Sequence, residues 1–196
     1  MSLLLAYAGY QYALGLGVDS FAARAVYTAA LVLVPLNVLL ALLLPERGVS
    51  YHGDHRWLFI VAGEILLVAW IASSGRSALS GAAWQEMLGH WLLRSPPAPL
   101  MGRVLFAAAV AAAVWRAWPP HVAKQGGPVS PIAVGQAGAL VAFFIACEWA
   151  RNQAAFGVFT AAAGAILMVA MLQESHRLAF NDELTGLPGR RALQEA

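Results

Sequence analysis

The feature that most constrains this chain is its succession of long apolar runs, separated only by short polar or proline-rich stretches. An α-helix rises 1.5 Å per residue, so roughly 20 apolar residues cross a bilayer core about 30 Å thick. With 60% of its 196 residues hydrophobic and only 11% charged, the chain is not a soluble globular domain. The expected fold is all-α: a polytopic helical membrane bundle of about six transmembrane helices, ending in a C-terminal stalk helix. The expected spans are 3–18, 21–44, 57–72, 100–118, 132–149 and 153–172, which together make residues 1–172 a membrane domain. The lipid bilayer is its first partner.

Several positions break the apolar pattern. The run 3–18 is rich in Tyr and Gly and is barely long enough, so a tilted or partly interfacial helix is an open alternative. It has no basic leader, and we read no cleavable signal peptide there. Asp19 and Ser20 are placed to cap the second span, in which Pro35 and Asn37 interrupt an aliphatic stretch. Proline in a helix frees a carbonyl, and Asn37 is expected to satisfy such a group or a neighbouring helix, a packing role. Glu64 lies near the centre of the third span. An ionised carboxylate at that depth costs several kcal/mol unless it is protonated, paired or lining a cavity, which makes Glu64 the leading candidate for sensing.

Residues 78–93 place Trp84, Met87, Leu88, Trp91 and Leu92 on one helical face, the pattern of an amphipathic helix lying on the membrane surface. The cluster Pro96, Pro97 and Pro99 ends it. The fifth span carries Gln136 and ends at Glu148, which is close enough in sequence to Arg151 to pair with it across the turn at Asn152. The first half of the sixth span is small, with Gly157 and Gly164 among alanines, a composition that suits close helix packing or dimerisation. Beyond Leu172 the pattern turns polar with no helix breaker before Gly186, so residues 173–183, including Glu174, His176, Arg177 and Leu178, read as a stalk helix.

Other chemistry is sparse. His52, Asp54 and His55 lie within four residues, but their spacing fits no standard zinc pattern and no cysteine completes a ligand set, so no metal site is assigned. Histidines 90 and 176 read as interfacial or solvated. Cys147, the single cysteine, reads as a small buried hydrophobe. A net charge of +2 is too small to suggest nucleic acid. No phosphate loop, nucleophile elbow or zinc-protease motif occurs, and no catalytic residue is assigned in the chain.

The last stretch differs in kind. Asp182, Leu184, Thr185, Gly186, Leu187, Pro188, Arg190 and Arg191 reproduce nearly every fixed position of D-x-L-T-G-L-P-N-R-R, with Gly189 where Asn is most common. Gly accepts the same positive φ, so the turn chemistry is kept. The segment resembles the opening of the GGDEF domain of membrane-anchored diguanylate cyclases. The resemblance covers only the final tenth of the chain. It implies that 184–196 is a truncated start of a GGDEF domain, in which Asp182 and Arg190 hold the entry turn together. It also implies a parent that condenses two GTP to cyclic di-GMP at a dimer interface. GTP and Mg²⁺ are expected for the catalytic domain that would follow. No residue of the chain itself is assigned to a cofactor.

On this resemblance the chain is the membrane input and dimerisation module of such a protein. It would sit in a bacterial inner membrane with its C-terminus cytoplasmic, form a parallel homodimer and answer an unknown periplasmic or membrane signal. Six spans then place Arg47, Arg56, Arg116, Lys124, Arg177, Arg190 and Arg191 inside, against Arg24, Arg76, Arg94, Arg103 and Arg151 outside. Two alternatives stay open. One is a transporter built around the intramembrane polar residues Asn37, Glu64, Gln136 and Glu148. The other is a silent membrane scaffold with a degenerate GGDEF domain.

Overall fold

The computed structural model describes residues 2–16, 20–43, 54–74, 98–118 and 130–180. These contain six helices and no strand: α1 (Ser2–Leu16), α2 (Phe21–Leu43), α3 (Asp54–Ser74), α4 (Leu100–Ala117), α5 (Pro131–Glu148) and α6 (Gln153–Phe180). The all-α bundle is therefore as the sequence implies. The amphipathic stretch 78–93, the pair His52 and His90, and the motif from Asp182 to Arg191 lie outside the described residues.

The number of spans is corrected. Among the described residues four helices, α2, α4, α5 and α6, are long and apolar enough to cross a membrane, rather than six. α1 has 15 residues, which reach roughly 22 Å and fall short of the hydrocarbon core. α3 has 21 residues, but its described apolar part is only Phe59–Ser73.

Local chemistry fixes the helix ends. The Ser20 hydroxyl accepts from the Ala23 amide at 3.1 Å, so Ser20 caps α2. Pro131 occupies the first turn of α5, where its missing N–H costs nothing. Residues 149–152 make the tight turn expected between α5 and α6, and Asn152 Oδ1 accepts from the Ala155 amide at 3.2 Å. α2 remains one helix through Pro35, which is fully buried.

The helices pack in a short series, α3 and α1 against α2, α2 against α4, α4 against α5, and α5 against α6. Aromatic rings join four of them. Tyr10 of α1 stacks on Phe156 of α6 with centroids 3.8 Å apart, and Phe156 meets Phe143 of α5 edge-on at 6.2 Å. Phe106 of α4 completes the set against Phe143 and Phe144. The core otherwise consists largely of alanines such as Ala109, Ala113, Ala146 and Ala163, all of them fully buried. Small side chains let helices approach closely, and this is how an Ala-rich bundle packs without bulky residues. Leu66, Val104, Trp115, Val158 and Leu172 point outward, as expected for faces solvated by lipid.

The contacts also fix direction. Gly102 faces Leu31 near the start of α4, and Arg116 near its end donates to the Leu42 carbonyl at 3.3 Å, so α2 and α4 run in the same direction. Arg103 meets Glu148 and Phe106 meets Phe144, so α5 runs opposite to α4. Gly135 faces Ala170 and Gly138 faces Ile166, so α6 runs opposite to α5.

Candidate functional site

Two of the polar residues singled out in the sequence come together. Asn37 of α2 donates from Nδ2 to Glu64 Oε2 of α3 at 2.9 Å. The same nitrogen lies 3.4 Å from the Ser2 hydroxyl at the start of α1. Asn37 thus serves neighbouring helices, and the packing role expected of it is what the contacts describe. Glu64 is half-buried, and it is paired with an amide rather than a cation. A hydrogen bond to a charged group contributes about 1.5–3 kcal/mol, which offsets part of the cost of placing a carboxylate inside a membrane helix. The pair therefore holds α3 against α2 without a counter-ion among the described residues.

Around this pair, α1, α2 and α3 line a half-open cavity of about 350 Å³. Its walls are mostly apolar, with Gly9, Val26, Leu33, Val68 and Ala69 among them. Asn37 is 8% exposed, and its Oδ1 is buried with no hydrogen-bond partner.

A second polar cluster surrounds the C-terminal end of α5. Helix termini leave carbonyls without intrahelical donors, and inside a bundle these need partners. The Tyr27 hydroxyl donates to the Cys147 carbonyl at 2.8 Å, and the Tyr10 hydroxyl donates to the Ala150 carbonyl at 2.6 Å. Beside them Arg103 makes a two-pronged contact to Glu148, Nε to Oε1 at 3.1 Å and Nη2 to Oε2 at 3.2 Å. This corrects the expected pairing of Glu148 with Arg151. The helix turn directs Glu148 toward α4, whereas Arg151 sits exposed on the connecting turn.

Tyr27→Phe is expected to destabilise the bundle by about 0.5–1.5 kcal/mol, because it removes the shorter bond to the buried Cys147 carbonyl and leaves the Ala150 amide at 3.3 Å. Unfolding of the purified protein in mild detergent measures this. For Arg103 and Glu148, half of the arginine side chain is exposed, and a double-mutant cycle is expected to give about 0.2–1 kcal/mol of coupling. The equivalent cycle between Glu148 and Arg151 should give none.

The remaining candidates are dispersed. Gln136 is half-buried on α5 and makes no hydrogen bond among the described residues. Pro35 is packed in the core. On α6, Glu174 pairs with Arg177 three residues on, His176 is exposed, and Leu178 lies within the helix. Among the described residues no group of three or more His, Cys, Asp or Glu is placed to hold a metal.

Ser2, Tyr10, Tyr27 and Arg103 were not singled out as site residues in the sequence. Arg103 and the two tyrosines carry a usable signal, since a guanidinium or phenol inside an apolar helix needs a partner. Which partner it takes depends on packing. Comparison with protein-family models, with curated proteins and with solved structures finds no match for this chain.

Proposed function

We propose that residues 1–172 are the membrane input and dimerisation module of a signalling protein resembling a diguanylate cyclase. Residues 173–183 are its stalk, and 184–196 begin the GGDEF domain. The observation that carries this reading is α6, which runs without a break from Gln153 in the bundle to Phe180, two residues before Asp182 of the motif. The part beyond Leu172 projects roughly 12 Å as helix. A continuous helix transmits a rotation or shift between bundle and output, which a flexible linker would absorb.

Helix direction supports a topology richer than four crossings. α2 and α4 run the same way, so the chain must return across the bilayer between Leu43 and Pro99. α3, whose 21 residues reach roughly 31 Å as helix although its apolar part is shorter than those of α2, α4, α5 and α6, is the described helix available to make that return. Its Glu64 meets Asn37, while Val68 and Ala72 line the cavity beside Val26 and Ala29, so it runs opposite to α2. With the stalk on the cytoplasmic side of a bacterial inner membrane, where GTP is found, Asn37 lies roughly 9 Å above the cytoplasmic end of α2. The tyrosine and Arg103–Glu148 cluster then lies at the outer face.

A parallel homodimer fits the outer side of α6. Ala154, Val158, Ala161, Ala165, Met168 and Leu172 are all exposed and recur at alternating steps of four and three residues, the spacing of a two-helix seam. Extending the protein with its native downstream sequence and assaying cyclic di-GMP from GTP and Mg²⁺ tests the proposal. Product formation that requires dimerisation supports it. A downstream sequence without metal-binding carboxylates selects the silent scaffold, and liposome flux abolished by Glu64→Gln selects a transporter.

A further inference from the structure

We infer that the cavity between α1, α2 and α3 is a binding site for a cationic amphiphile: a primary ammonium on a short apolar body, anchored by Glu64, which Asn37 holds in place. The polar end of the cavity is formed by Ser2, Asn37 and Glu64. Asn37 has its Nδ2 committed to Glu64 and Ser2, while its Oδ1 is buried and unpartnered. The Glu64 carboxylate has acceptor capacity well beyond the one bond from Asn37.

Charge selects among donors. Glu64 is the only charged side chain lining the cavity among the described residues, and no Lys, Arg or His accompanies it. A carboxylate in apolar surroundings favours a neutralising cation, and a primary ammonium carries three N–H donors for the free lone pairs of Glu64. An anionic head would be repelled, and an alcohol would leave the charge uncompensated. Leu5, Val26, Leu33, Val68 and Ala69 supply the apolar walls. At about 350 Å³ the space suits the smaller end of small-molecule ligands and is far larger than a bare metal ion needs. Binding here would pin α3 to α1 and α2. The occupancy claim is independent of the cyclase reading, and only its consequence for output rests on that reading.

The test uses the whole chain in lipid nanodiscs, titrated calorimetrically with octylammonium, octanol or octanoate, with empty discs subtracted. Octylammonium is expected to saturate one site per chain, and the other two are not. Glu64→Gln should weaken octylammonium about tenfold or more. Ala69→Phe, which fills the apolar end and leaves the polar pair intact, should weaken it by a similar factor and carries the test if the Glu64 variant does not fold. Equal binding of all three probes, wild-type affinity in both variants, or displacement of octylammonium by millimolar Na⁺ would each overturn the assignment. No cyclase output is read, so failure here is separable from failure of the proposed function.

Discussion

Gly135→Ala is expected to destabilise the bundle by about 1–3 kcal/mol, the cost typical of overpacking a tight core. A Cβ at Gly135 would collide with the Ala170 Cβ, well inside any real contact. Ala170 has no side-chain rotation with which to move aside, so α5 and α6 must part along the largest helix interface among the described residues. Intrinsic helix propensity opposes this, since Ala is favoured over Gly by about 0.8–1.0 kcal/mol, but the clash is with a fixed atom and packing wins. Adding Ala170→Gly should bring stability back to within about 1 kcal/mol of wild type, because the methyl is moved from one helix to the other. Gly157→Ala and Gly164→Ala are the controls. Open space lies where their Cβ atoms would be, so each should be neutral or slightly stabilising. Thermal unfolding in one detergent across the set measures all of these, and a stable Gly135→Ala protein would contradict the packing described.

Leu178→Pro is expected to abolish the dependence of output on the membrane domain in the extended protein, while leaving the bundle folded. The position lies within α6, beyond the apolar part of the helix. Proline there removes a backbone hydrogen bond and clashes with the preceding turn, costing about 3 kcal/mol locally and breaking the rigid connection. Leu178→Ala keeps the helix and should keep the coupling. The measurement is cyclic di-GMP formation in membranes together with the amount of folded protein. Unchanged output in the proline variant would exclude a mechanical stalk, whereas loss of folded protein in both variants would indicate a packing role for Leu178.

Much of the architecture was legible along the chain because a bilayer imposes one-dimensional rules. Apolar length, Ser20 as a cap, the turn at Asn152 and the absence of a breaker between Leu172 and Phe180 are local properties, and the helices follow them. Span length was the local rule most easily misread. Counting apolar residues gave six spans, but α1 and the apolar part of α3 are too short to meet the thickness criterion that α2, α4, α5 and α6 satisfy.

The site was half legible. Asn37 and Glu64 stand out because polar groups in an apolar helix demand partners, but nothing along the chain says that they demand each other. The same holds for Glu148, which a reading by proximity assigns to Arg151 and the structure assigns to Arg103, 45 residues away. Small residues divide in the same way: composition singled out Gly157 and Gly164, which have open space beside them within one chain, whereas the close approach between α5 and α6 is made at Gly135 against Ala170. By itself the sequence determined an all-helical membrane chain, most of its helix boundaries and the unbroken run toward Asp182, because these depend on hydropathy and backbone chemistry within a few residues. Only the tertiary structure decided helix direction, the Asn37–Glu64 cavity, the tyrosine caps and the Arg103 pair, because each depends on which helix faces meet.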